Sequence, residues 1–299
     1  MARSFFEADI MSIAQSVMRR LVTVTVKSQL NPRVSVETQR KRLDLLRFTP
    51  MPRGIKETEI ELDGVTTRKL SPTPCHGAIL YLHGGAYCTG SPDSHREMVA
   101  RIARNAEREA YVIDYRLAPE SPYPAAVDDA MKAYIALLSE HQDIALVGDS
   151  AGGGLAMALA EEIARTEYAQ PSAMVLMSPW ADLTCSGVTI ESNKSIDPML
   201  HPAWLTSSAE MYAADVPLDT PGISPLFGNH ANLPRTLIQV GSDEILLSDS
   251  QRIAEAFRVA GVDTELQVFE GMWHVFQFHA ALLKPSRKAV YKIGEFLKG

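Results

Sequence analysis

Six residues, Gly148-Asp149-Ser150-Ala151-Gly152-Gly153, constrain this chain more than any other stretch. The apolar run 144–147 before them has strand character, and 155–163 after them is rich in strong helix formers. A strand that turns sharply into a helix needs small residues on both sides of the bend, because side chains there would block it. Such a turn lifts the Ser150 hydroxyl off the edge of a sheet, beside a helix N-terminus that favours negative charge. On this stretch alone, a Gly-rich loop with an incidental serine is the competing reading.

The rest of the chain repeats the strand–helix pattern. Apolar residues Phe6, Ile10, Ile13, Ala14, Val17, Met18 and Leu21 recur at helical spacing, and a second helix is expected over about 34–46. The first helix reads equally as a packing element or as part of a lid. Arg40-Lys41-Arg42 reads as a solvated face. Pro50, Pro52 and Gly54 form a linker, and Asp63-Gly64 joins two β-prone runs as a hairpin. Strands are then expected at 77–82, 110–113, 144–147, 173–177, 236–241 and 264–269. Helices are expected after Ser94 as a cap and over 126–139, 248–260 and 287–297. Between about 183 and 215 the alternation breaks, which suggests a helical insertion. Alternating strands and helices imply an α/β fold with a mainly parallel sheet, whose ligands bind beyond the carboxyl ends of the strands.

The length of 299 residues, with 46% hydrophobic and 22% charged, suits a large core. The net charge is −7 and no basic block stands out, which argues against nucleic acid and anionic membranes as partners. Cys75, Cys88 and Cys185 form neither a C-x-x-C pair nor a zinc pattern, so reduced thiols are expected. With Glu7 and Asp9 near its start and no sustained apolar segment, the chain reads as cytoplasmic, with neither signal peptide nor membrane span.

A serine hydroxyl is a weak nucleophile and needs a base that is itself oriented by a third group. The best carboxylate after Ser150 is Asp243, at the end of a strand, with Glu244 and Asp249 as nearby rivals. The best base is His274, after the last strand. An oxyanion formed at the attacked carbonyl needs fixed donors, and His83-Gly84-Gly85 follows a strand where such a loop belongs. Gly84 and Gly85, with the N–H of Ala151, are the expected donors. Tyr87, Trp180, Trp204, Met211, Tyr212, Trp273 and Phe276 are candidates to line an apolar cleft, with core packing as the alternative for each. No metal or organic cofactor is called for.

These motifs, with Asp114-Tyr115-Arg116-Leu117-Ala118-Pro119-Glu120, resemble the hormone-sensitive-lipase-like esterases of the α/β-hydrolase fold, over roughly 77–299. The resemblance implies a serine carboxylesterase for short- to medium-chain esters, working through an acyl-enzyme. It also implies a helical cap made of residues 1–50 with the insertion at about 183–215, on a catalytic domain of residues 51–299, and a homodimer. Two departures stand out: Ala86 replaces a third glycine, and Glu244 replaces the proline that usually follows the acid. The run 240–278 is also similar, more loosely, to monoterpene lactone hydrolases, so opening of terpene-type lactones is an alternative. Plant gibberellin receptors share the fold but lack the histidine, and His274 argues against a non-catalytic receptor. A lipase acting at interfaces is disfavoured because no long exposed apolar helix is evident.

Overall fold

The computed structural model describes residues 13–299. The early part of the first expected helix, with Phe6 and Ile10, lies outside the described residues. Residues 13–22 are helical (α1) and run into a π-helical turn, Thr23–Lys27. The second expected helix is α2, Val36–Leu43, continued by a 3-10 turn, Asp44–Phe48.

Asp63 and Gly64 both take positive φ, and this turn joins β1 (Ile55–Leu62) to β2 (Val65–Pro72) as an antiparallel hairpin. The strand–helix alternation follows: β3 (Ala78–Leu82), α3 (Pro92–Ala106), β4 (Glu109–Ile113), α4 (Ala125–Leu138), β5 (Ile144–Asp149), α5 (Ala151–Ile163), β6 (Ala173–Met177). Two helices fill the insertion, α6 (Val188–Ser192) and α7 (Pro202–Ala213). Then come β7 (Thr236–Gly241), α8 (Leu247–Val259), β8 (Thr264–Phe269) and α9 (Lys284–Lys298). Ser91, one turn earlier than expected, caps α3, and Ser94 completes its capping box as the third helical residue.

The eight strands form one sheet in the order β1-β2-β4-β3-β5-β6-β7-β8. Every pairing from β4 to β8 is parallel, while β1–β2 and β2–β4 are antiparallel. Strands β3, β5, β6 and β7 are buried along their whole length, as continuous apolar runs in a doubly covered sheet should be. Their side chains alternate between two cores: Leu80, Leu82, Leu146, Leu176 and Ile238 on one face, Ile79, Tyr81, Val147, Val175 and Leu237 on the other. Because these strands run the same way, the segments beginning at His83, Ser150, Ser178, Ser242 and Glu270 all leave the same edge of the sheet.

Asp249, one of the rival acids, turns away from that chemistry. It is buried at the start of α8, where one oxygen accepts the N–H groups of Ala181 and Asp182. Burial, and then the nearby Asp182 carboxylate, push its carboxyl up to about 7. The folded state therefore binds a proton here more tightly than the unfolded chain does. We expect Asp249 to lower stability as pH rises from 3.8 to about 7, by at most about 1.4 kcal/mol per pH unit. Subtracting an Asp249→Asn unfolding series from the parent series isolates this slope; equal slopes in the two proteins refute it.

Candidate active site

Ser150 stands at the junction of β5 and α5 with φ 53° and ψ −124°, a conformation rare for residues with a side chain. The surrounding glycines make it possible: a Cβ on Gly148 would strike the carbonyl of Gly152, and one on Gly152 the carbonyl of Leu82. The Ser150 N–H donates to Met177 O at 2.9 Å, and its carbonyl accepts from Trp180 N at 2.9 Å. The bend is thus locked onto β6.

His274 follows β8 and is buried. Its Nδ1 lies 2.8 Å from Oε2 of Glu244, which has no exposure to solvent. The carboxylate accepts only, so Nδ1 carries the proton and Nε2 is left for the cavity that both His274 and Ser150 line. The second oxygen of Glu244 accepts from the N–H of Gly241 at 2.7 Å and from the Ser178 hydroxyl at 2.8 Å. Ser178 Oγ in turn accepts from Val275 N–H at 3.1 Å, next to the imidazole.

The expectation that Asp243 would hold the imidazole is therefore corrected: its neighbour Glu244 does so. Adjacent residues leaving a strand end face opposite ways, and Glu244 turns inward with the longer reach. Asp243 faces outward, where its carboxylate accepts from Arg19 of α1 at 2.7 Å and from Ser242 Oγ at 2.7 Å. Arg19 also reaches Ile196 O, Gln15 donates to Gly271 O at 2.8 Å, and Lys27 donates to Asp197 O at 2.5 Å. Asp197, a buried residue of the insertion, accepts from Ile245 N–H at 2.9 Å and from Met199 and Leu200 N–H at 2.7 and 2.8 Å. Neither Ser178 nor Asp197 stood out in the sequence; the only signal was the position of each just beyond an apolar strand or before a Pro.

The loop after β3 is held from behind. Gly84 N–H donates to Asp149 Oδ1 at 3.0 Å, and Gly84 O accepts from His83 Nδ1 at 2.8 Å. Gly84 is thus spent as a donor, contrary to expectation, and a Cβ there would strike the Asp149 carboxylate. Gly85, at φ 121°, and Ala151, the first residue of α5, keep N–H groups with no acceptor among the described residues. Asp149 also accepts from Tyr81 OH at 2.6 Å and faces His95 Nε2 at 3.4 Å. Burial opposes its charge, but attraction to His95 with hydrogen bonds from His95 and Tyr81 outweighs burial and holds the carboxyl below its ordinary range. Burial, then repulsion from His95, lowers the His83 imidazole to about 3, so it is neutral and Nδ1 donates. The Tyr115–Glu120 run is scaffolding: Tyr115 OH donates to His83 O at 2.6 Å, Arg116 pairs with Asp129, and Glu120 with Arg40. Arg40, expected on a solvated face, also donates to Cys88 O and Ala118 O.

A cavity of about 310 Å³ opens above Ser150. Its apolar wall comes from Val22, Val26 and Leu30, from Leu43 and Leu46, and from Met199, Leu200 and Trp204. Of the seven aromatic and Met candidates, only Trp204 lines it. Tyr87 stacks on Tyr212 at 3.7 Å inside the core, and Trp180, Trp273 and Phe276 are fully buried. Met211 packs against the same core. An apolar residue in a chain segment can face either way, and five of these six fill the interior while half-buried Met211 packs against it.

The family profile of the α/β-hydrolase fold matches residues 79–278. An esterase of Acinetobacter venetianus is 35% identical over 280 residues, 92% of each chain. An acetyl-hydrolase of Streptomyces hygroscopicus is 39% identical over 223 residues, covering 74% of this chain and 75% of its own. The crystal structure of an esterase from the bacterial hormone-sensitive lipase family is 34% identical, covers 96% of this chain and 97% of its own, and superposes with a TM-score of 0.89.

The double clamp on Gly84 generates a test. Asp149→Ala strands the Gly84 N–H and the Tyr81 hydroxyl, so we expect kcat for ester hydrolysis to fall roughly 10- to 100-fold, with KM little changed, since only the aim of a fixed donor is lost. Steady-state kinetics on a soluble ester check this; an unaltered kcat would show that the clamp does not aim the loop.

Proposed function

The chain belongs to the hormone-sensitive-lipase-like family of the α/β-hydrolase fold, a family of carboxylic-ester hydrolases, and from that premise we propose a serine carboxylesterase with Ser150, His274 and Glu244 as its catalytic residues. The observation that carries this reading is the fully buried Glu244–His274 pair, which opens through the imidazole onto the cavity that holds Ser150.

His274 Nε2 takes the hydroxyl proton as Ser150 Oγ attacks the ester carbonyl. Glu244 stays ionised and holds the imidazolium, its other oxygen fixed by Gly241 and Ser178. The tetrahedral oxyanion is met by the N–H groups of Gly85 and Ala151. The imidazolium returns its proton to the departing alkoxide, leaving an acyl group on Ser150. Water then attacks that acyl group, giving its proton to His274, which passes it to Ser150 Oγ as the C–O bond to the serine breaks and the carboxylic acid is released. A complete, buried base–carboxylate pair has no use in a receptor, and this weighs against the non-catalytic reading.

Residues 13–50 and 183–215 act as the cap that roofs the site. A cavity of about 310 Å³ with an apolar wall suits short to medium acyl chains on small-molecule esters.

Three variants test the assignment. Ser150→Ala should lower kcat for p-nitrophenyl acetate by roughly 10⁴-fold or more. Glu244→Gln should lose about 10²- to 10⁴-fold, while Asp243→Asn loses less than about tenfold. Should Asp243→Asn prove the more damaging of the two, the proposed roles are reversed.

A further inference from the structure

We propose that the outward face of α1, with the 3-10 turn Asp44–Phe48, is a docking surface for an anionic lipid surface. The inner face of α1 and its π-helical continuation turn Val22 and Val26 into the cavity. The opposite face carries Ile13, Val17, Leu21 and Val24, which are between 52% and 73% exposed. Their spacing puts them on one stripe. Across the cavity, the same 3-10 turn that contributes Leu46 to the wall exposes Phe48 to 76%. Single exposed apolar residues are ordinary, but a continuous stripe marks a contact surface.

Charge decides what kind of surface it meets. Residues 13–48 hold eight Lys and Arg against two Asp and Glu, in a chain of net charge −7. Apart from the short Arg40-Lys41-Arg42 run these charges are spread along the sequence, which is why the sequence argued against an anionic membrane surface; the exposed stripe on α1, which the sequence did not reveal, likewise reverses the expectation that no apolar helix faces outward. Arg20 sits within the stripe, two turns after Ile13 and one before Val24. Arg20, Arg33 and Arg42 are exposed or half-exposed to solvent and make no ion pair among the described residues, whereas Arg19, Arg40, Lys41 and Arg47 are paired. A second copy of the chain would bring the same unpaired cations face to face across a two-fold axis, which disfavours self-association through this face. An apolar stripe that carries Arg20, next to a 3-10 turn preceded in sequence by Arg42, both without an ion pair among the described residues, suits the headgroup boundary of an anionic bilayer, where the helix lies in the plane and its cations meet phosphate. Docking there turns the cavity-lining segments toward the lipid phase, so that poorly soluble esters enter directly.

The test is co-sedimentation of the full chain with phosphatidylcholine vesicles, with and without phosphatidylglycerol, at low and high ionic strength. Binding should need the anionic lipid and weaken with salt. Removing two cations in Arg20→Gln with Arg42→Gln should reduce partitioning about 25-fold, each charge contributing roughly fivefold. Val17→Glu with Val24→Glu should abolish it. Hydrolysis of a soluble acetate ester by the same variants should match the parent, which separates docking from folding and from the catalytic reading. Failure to bind anionic vesicles, or binding untouched by these substitutions, overturns the proposal. A parent dimer that the valine substitutions dissociate would assign the face to a second copy and overturn it equally.

Discussion

A carboxylate with no access to water dictates much of this structure. Ionised Glu244 has lone pairs that solvent cannot reach, and an unmet buried charge costs several kcal/mol. Each oxygen must therefore find donors, and the fold supplies them from three strand ends: Gly241 N–H in the last residue of β7, the Ser178 hydroxyl after β6, and the His274 imidazole after β8. Those donors can meet at one point only if neighbouring parallel strands end level with each other. Register in the sheet, in this sense, is set by the chemistry at its rim as well as by the alternating apolar side chains beneath.

The same logic governs the other half of the site. Asp149 is buried too, and it answers for the loop after β3 by binding Gly84 and Tyr81. Ser150, between this carboxylate and α5, keeps a backbone shape that glycines on either side permit and that two hydrogen bonds to β6 and its following loop hold. The groups proposed to react are carried on short loops whose anchors are rigid, which is how preorganisation is achieved without a bound ligand.

Much of this was legible in the residues. Apolar runs gave the strands almost to the residue, because strands buried on both faces leave an unmistakable signature. The serine turn and the histidine were legible for a similar reason: glycines and chain order leave few alternatives. Asp243 against Glu244 was not legible, since the side toward which a side chain leaves a strand end depends on the local turn. Gly84 was misread because its donor was taken by Asp149, a residue whose inward side chain nothing in the sequence announces. Six of the seven apolar pocket candidates packed in or against the core, because size and hydrophobicity do not say which cavity a side chain will fill.

Two neighbouring acids thus divide their work across a single peptide link. One side chain turns inward to the imidazole; the other turns outward and grips Arg19 of the covering helix. An insertion or deletion of one residue between Gly241 and Ile245 would exchange the two directions at once, unfastening the roof and stranding the histidine together. The length of this loop and the seating of the helix above it are thus a single constraint.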